Sequence, residues 1–319
     1  MKQVFLNKQE GIDNKDLRLG KDLKYYLELT DGFKSSFDDF KVIKSSGFNI
    51  IDESQACSVG YKARSGEFLL SKLKQQGVKE IVYVQPRRGF AGISLSYLCK
   101  KYNMDLTLVM PSSKKSSDHQ RLCIEYGAKP LFLRVAAMPN ANSMAKKYAQ
   151  STGAYFIPLG LNHEYVVACG VKLIHEFFKD KEHPKRMWTV ISTGVLSRTL
   201  QIALPETEFF NVAVSRNIQQ GDLGRAKFIS YHKAFNQKSD LIPVDFDCEQ
   251  SYDSKGYDYM MRYGREGDWF FNVAGNAPET KLLETDVDSY RDWRDLRDFK
   301  QYIKWEIVFI TQIMLMIFC

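Results

Sequence analysis

Glu80–Pro111, EIVYVQPRRGFAGISLSYLCKKYNMDLTLVMP, is the stretch on which the fold reading turns. It opens with a short apolar run, EIVYV. It then passes through a Pro- and Gly-containing loop, QPRRGFAG, into a stretch with helical spacing at Gly92–Tyr102, where Ile93, Leu95, Tyr97 and Leu98 share a face. It ends in a second apolar run, Asp105–Met110, closed by Pro111. A strand, a helix on one face and another strand make a βαβ unit, which requires a parallel sheet and a right-handed crossover.

The same alternation continues on both sides. Further β-branched and aromatic runs stand at Lys129–Val135, Ala154–Pro158, Trp188–Ile191 and Phe209–Val214. Helical spacing returns at Gly66–Gln76, with Phe68, Leu69 and Leu73 on one face, and at Tyr165–Phe178, with Val166, Val167, Val171, Ile174 and Phe177. Gly77 ends one helix, and Gly127 and Gly153 precede strands. The fold class expected is therefore α/β, with open parallel sheets covered on both faces. Residues 1–50 are less regular, 216–268 are polar and loop-rich, and Asp288–Lys304 reads as an amphipathic helix with Arg–Asp neighbours.

Bulk properties bound the function. The 319 residues are 44% hydrophobic and 26% charged, enough for a large core. A net charge of +7 favours anionic ligands, although the positive residues form no long run that would mark a dedicated nucleic-acid face. Six cysteines, at 57, 99, 123, 169, 248 and 319, have no CxxC pairing and no metal-ligand spacing, so they read as free thiols in a reducing, cytoplasmic setting. No secretory leader is expected from the polar start, and the apolar stretch after Trp305 is shorter than the ~20 residues of a spanning helix. It is read as a tail of doubtful role, with no stable membrane association.

Open α/β sheets bind ligands where strands lead into helix N-termini. Three such loops carry chemistry. In CSVGYKARSGEF, Lys62 precedes a helical run; a lysine held at a helix start in a partly apolar site loses basicity and can attack an aldehyde. In QPRRGFAG, Gly89 and Gly92 open a helix beside Arg87 and Arg88. In STGVLSRTLQ, the residues Ser192, Thr193, Gly194 and Ser197 can cradle a phosphate, with Arg198 as counter-charge. Lys255 is a second candidate imine lysine and Lys227 a weaker one, while His163 could face a cleft or serve the structure. Walker, HExxH and Ser-His-Asp signatures are absent.

Taken in order, YKAR, then QPRRGFAG, then RLCIEYGA with Arg121, Gly127 and Ala128, and finally STGVLSRTLQ resemble the fold-type-II pyridoxal-phosphate-dependent enzymes, the group of tryptophan synthase β, cysteine synthase and threonine synthase. The resemblance covers Ser58 to Arg216, with a weaker echo at FFNVAGNAP (271–278). It implies pyridoxal 5′-phosphate held by Lys62 as an internal aldimine. The cofactor contacts it implies are Phe90, Ser192, Thr193, Gly194, Ser197, Arg198, Asn272 and Asn276. The substrate contacts are Arg88, Gly89, Ala91 and Gly92, with the backbone of 89–92 on the substrate carboxylate. It also implies a larger cofactor-binding lobe (1–84 and 160–304), a smaller mobile lobe (85–159), an apolar tail (305–319) and a homodimer. The chemistry expected is β- or γ-elimination or replacement on an amino acid or amino-acid-like adduct, by a lyase or transferase.

Two departures stand out. Phe90 takes the place of the family's cofactor-bonding asparagine, and Val195, Leu196 and Ser197 replace neighbours in its glycine-rich phosphate loop. Alternatives are a cofactor-free member that binds a metabolite or partner, and a divergent phage-encoded member acting on aminoacylated thymine in DNA, a substrate compatible with the +7 charge.

Overall fold

A computed structural model describes residues 21–291, except 57, 114, 134–137, 215–217 and 219–222. The chain builds two sheets. The larger has the order β1 (Val42–Ser45), β2 (Phe48–Asp52), β10 (Trp269–Asn272), β7 (Arg186–Ile191), β8 (Glu208–Ala213) and β9 (Lys227–Ser230). The smaller has the order β5 (Lys129–Leu133), β4 (Asp105–Pro111), β3 (Glu80–Val84) and β6 (Tyr155–Ile157). Every pairing is parallel except the β1–β2 hairpin. That hairpin turns through Ser46 and Gly47, both at positive φ, the geometry a two-residue turn needs to match strand twist.

The helices are α1 (Leu23–Leu29), α2 (Glu53–Ala56), α3 (Tyr61–Gln75), α4 (Ala91–Lys101), α5 (Asp118–Glu125), α6 (Met138–Thr152), α7 (Glu164–Phe178), α8 (Val195–Ala203), α9 (Asp253–Tyr263) and α10 (Glu284–Asp288). Strand alternation splits the apolar residues between faces. Met187 and Phe271 join the main core with α3, α4, α7 and α8, whereas Trp188 and Phe270 pack with Tyr257, Tyr259 and Met260 of α9 on the opposite face. The α/β class and its covered parallel sheets are as the periodicity predicts.

Two expectations need correction. Strand β3 hydrogen-bonds to β4 and β6, so it belongs to the smaller sheet, and the boundary expected between 84 and 85 falls one strand late. The crossover between the sheets runs along α3 instead. The helix expected over Asp288–Lys304 does not start there: Asp288 ends α10 and a turn follows. Residues 292–304 and the 305–319 tail lie outside the described residues. Among the described residues, no helix is long and apolar enough to cross a membrane.

Candidate active site

The site lies where the carboxyl ends of the strands meet helix starts. Gly60, at φ 83, caps α3 and lets the chain turn sharply from the larger sheet. The Tyr61 N–H donates to the Val273 carbonyl just beyond β10 at 2.8 Å, fixing the helix start against the sheet edge. Lys62 is thus the second residue of α3, within the helix that the spacing placed from Gly66. Its amine donates to the Gly160 carbonyl oxygen. Burial first, and then the like charge of Arg198, push it down to about 8. An amine near that value is partly neutral at physiological pH and so nucleophilic.

The loop Pro158–His163 stitches the two sheets together at this point. The Gly160 N–H donates to the Tyr83 hydroxyl on β3 at 3.2 Å. A Cβ on Gly160, which sits at φ 76, would lie 2.2 Å from Thr193 Oγ1, so the two loops touch with no room between them. Asn162 accepts from the Arg198 guanidinium at 2.6 Å. Arg198 is 3% exposed, so a second cation stands beside Lys62 inside the protein.

In the β7–α8 loop, Gly194 adopts the left-handed conformation at φ 74 and caps α8. Val195 and Leu196, the replacements in the glycine-rich pattern, bury their side chains in the main core. Their bulk is therefore directed into the protein, and the helix start keeps its positive dipole end for an anion. Ser192 receives a hydrogen bond from the Tyr252 hydroxyl at 3.4 Å. Ser197 is committed elsewhere: its hydroxyl accepts from Asn211 and from Gln201, each at 2.7 Å.

The β3–α4 loop is braced by a residue the sequence reading passed over. Gln85 donates to the Gly89 carbonyl and accepts from the Gly92 N–H, both at 2.9 Å. Gly92 is required here, because a Cβ would meet Gln85 Oε1 at 2.2 Å. The Gly92 N–H is consequently taken internally, which corrects its expected place among the carboxylate donors and leaves Gly89 and Ala91 beside Phe90. The Phe90 ring packs against the backbone of Gly60, where a Cβ would stand 3.0 Å from Phe90 Cβ. Its other side meets His119 edge-on, with centroids 5.3 Å apart.

Asn272 and Asn276 sit below this level. Asn272 donates through Nδ2 to Asp52 and to the Asp247 carbonyl, and Asn276 donates to Asp247, while the buried Asn272 Oδ1 has no hydrogen-bond partner. Asp253, fully buried at the start of α9, is pushed well above the carboxylate range by burial and by Glu249. His163 caps α7 and meets the Tyr155 hydroxyl at 3.0 Å, a structural role. Lys227 pairs with Glu208 on the sheet. Lys255 is buried, its ammonium held by the Ala234 and Phe235 carbonyls. Gln85, His119, Gly160 and Asn162 had no local motif to mark them; distant segments bring them here.

A half-buried lysine of lowered basicity at one helix start, joined through the Gly160–Thr193 contact to a glycine-capped helix start, is the arrangement that an aldehyde cofactor with an anionic arm would need. The comparisons agree. Residues 48–204, just under half of the chain, match the family described as pyridoxal-phosphate dependent enzyme, so the chain carries that family's domain, and the cofactor indicated is pyridoxal 5′-phosphate.

Among solved structures, an ACC deaminase homologue is similar with a TM-score of 0.66 at 14% identity, over 79% of this chain and 95% of that one. The processed form of threonine deaminase isoform 2 from Solanum lycopersicum gives 0.62 at 10% identity, over 91% and 96%. Diaminopropionate ammonia lyase from Escherichia coli gives 0.58 at 12% identity, over 91% and 94%. At these identities the likeness is one of fold. Comparison with curated proteins finds no match.

The residues present fit the group. Lys62 offers an amine that is not fully charged. Arg198 and the α8 start offer positive ends to a phosphate. Phe90, packed between Gly60 and His119, stands where the family has a hydrogen-bond donor and adds apolar packing beside the site instead.

Proposed function

We propose that the chain is a pyridoxal-phosphate-dependent enzyme that eliminates or replaces a group at Cβ or Cγ of an amino acid or amino-acid-like adduct, with Lys62 as the cofactor lysine. The observation that carries this is the Lys62 amine, lowered to about 8 beside Arg198 at the mouth of α3. When bound, the cofactor supplies an electron sink for charge developing at Cα. The protein's part is to position and to move protons. With the cofactor bound, the Lys62 amine would take the Cα proton of the substrate and return it, and a base of this strength works near neutral pH. Arg198 and the turn at Gly194 hold the phosphate arm, and the backbone N–H groups at Gly89–Ala91 receive the substrate carboxylate. The fit of Thr193 against Gly160 holds these two loops together.

Protein loaded with the cofactor should absorb near ~410–420 nm, because the aldehyde carbon becomes conjugated through the lysine nitrogen. Borohydride should then fix a cofactor-sized adduct on the peptide that contains Lys62, and Lys62→Ala should show neither signal. An unmodified Lys62 peptide from loaded wild type would overturn the assignment. Equal binding by wild type and Lys62→Ala would point to a cofactor-free binding protein.

A further inference from the structure

Among the described residues, the final stretch of the chain reaches back to the β4–α5 loop. After β10 the backbone leaves the larger sheet at Asn276, which is tied to Asp247: its N–H donates at 2.9 Å and its amide at 2.6 Å. The segment then crosses to the smaller sheet's helices. The Thr280 hydroxyl and the Lys281 N–H donate to Glu125 at the end of α5, at 2.5 and 3.0 Å. Leu282 packs on the main core, and Val287 of α10 is fully buried in it. Residues 276–291 are therefore a strap fastened on both sides.

Glu284, at the start of α10, makes the strap's most elaborate contact. Its carboxylate receives the Ser116 N–H at 2.8 and 3.0 Å and the Ser116 hydroxyl at 2.5 Å. The Arg121 guanidinium lies 3.5 Å from the same oxygen as that hydroxyl, and Arg291, from the end of the strap, donates to the other. Arg291 is itself buried, with its guanidinium over the Phe132 ring of β5 at 5.4 Å from the centroid. An isolated surface ion pair contributes little, but a carboxylate shared by an N–H, a hydroxyl and two guanidinium groups is a network. The contact spans 168 positions of the chain, so it serves the tertiary arrangement and not a local turn.

What Glu284 holds is the middle of a triplet that grips the β3–α4 loop. The Lys115 carbonyl accepts from the Arg87 guanidinium at 3.0 Å, and the Ser117 hydroxyl donates to the Arg87 carbonyl. Two residues on, His119 meets the Phe90 ring edge-on. Arg87 and Phe90 are thus both tied to 115–119, and they bracket Arg88 and Gly89. Gln85 braces the same loop from within, through Gly89 and Gly92. The loop has an inner support close in sequence and an outer one that depends on a carboxylate delivered by the strap.

We propose that Glu284 is a positioning residue: through Ser116 it sets the outer side of the β3–α4 loop, and with it the backbone donors at 89–91 that receive the substrate carboxylate. The role given to those donors rests on the proposed function above; the coupling of Glu284 to the loop does not. With the carboxylate removed, Ser116, Arg121 and Arg291 lose their shared partner, and the grip of 115–119 on Arg87 and Phe90 loosens. The β7–α8 loop has its own lock in Gly160 and Thr193, so it keeps its order. The effect falls on the substrate side of the site and spares the cofactor side.

The test is amide hydrogen exchange, read by mass spectrometry on the cofactor-loaded chain. In Glu284→Ala, peptides covering 86–92 and 115–121 should exchange about tenfold faster than in wild type, while those covering 192–201 keep their rate. Acetate should restore slow exchange at 115–121 in this variant, because Ser116, Arg121 and Arg291 remain to bind a free carboxylate, and should change nothing there in wild type. Glu284→Gln, which keeps the shape but not the charge, should show the same pattern at smaller size, and melting curves establish that both variants fold. Glycine, the simplest amino acid, then reads the consequence. The concentration that half-shifts the absorbance band should rise about tenfold in Glu284→Ala, while the band before glycine is the same in both proteins. A missing band would count against the Lys62 reading, and the exchange rates would still decide the latch. Unchanged exchange at 86–92, an equal rise at 192–201, no recovery with acetate, or an equal glycine response in the two proteins would overturn the proposal.

Discussion

The loop after β7 and the loop after β3 both lead from a parallel strand into a helix, yet they are built on different terms. The β7–α8 loop is locked: Gly194 is in the left-handed conformation, Thr193 is pressed against Gly160, and Val195 and Leu196 are sunk in the core. The β3–α4 loop is braced from inside by Gln85 and sets Phe90 between Gly60 and the buried His119 of α5. Backbone geometry and core packing set the first loop, and side-chain character sets the second. On the proposed function, the first would anchor the cofactor's anionic arm and the second would meet the substrate.

That contrast can be broken at its tightest point. Gly160→Ala should destabilise the protein by about 4 kcal/mol, because a Cβ there both strains a positive φ and collides with Thr193. Denaturant unfolding measures it, and the loss of cofactor retention should accompany it. A change under about 1 kcal/mol would mean that the β7–α8 loop is as adaptable as its counterpart.

The packing beside the second loop makes a pH prediction. His119 titrates at about 4 when folded, against 6.5 for an unperturbed imidazole. Between these values the unfolded chain binds the extra proton, so stability rises with pH from about 4 to 6.5 and is lost on acidification through that window. The loss should reach about 3 kcal/mol at most. His119→Phe should flatten this part of a stability-versus-pH curve measured by chemical denaturation. An unchanged slope in the variant would move the titrating group elsewhere. The smallest effect is expected at Gly194→Ala, about 1 kcal/mol for placing a Cβ in the left-handed region. Its melting temperature should fall by less than that of Gly160→Ala, where the collision with Thr193 adds to the backbone strain.

Much of the larger pattern was readable in one dimension. The strands at Glu80–Val84, Asp105–Pro111 and Glu208–Ala213 are runs whose burial on both faces leaves continuous apolar sequence. Helix α7 announces itself through its apolar face. Helix α9 does not, because DSKGYDYMMRY buries Asp253, Lys255 and Asp258 among its aromatics and hides the periodicity. The hairpin β1–β2 was also missed, since Phe48–Asp52 belongs to a sheet whose other strands come much later in the chain. For the site, Lys62 and the two loops were visible because each lies at a strand-to-helix junction. Gly160, His119 and Gln85 act through contacts with distant or unremarkable segments, and no local spacing encodes those. Ser197 illustrates the converse: it fits a phosphate-loop pattern in sequence, yet its hydroxyl is drawn inward by Asn211 and Gln201.

Strand β10 has a bearing on biosynthesis. Among the described residues it is made after every other strand, yet it lies between β2 and β7, and Phe270 pairs with Ile50 on one side and Trp188 on the other. On the ribosome, the smaller sheet draws all its strands from 80–157 and can close while translation continues. The larger sheet must wait with a vacant central lane until Trp269–Asn272 emerges, a long-range closure that slows folding. The Tyr61 N–H that seats Lys62 is bonded to Val273, the next residue to arrive. The α3 start that carries Lys62 is therefore seated only after Val273 has been made, and a chain stopped before that residue would lack this contact.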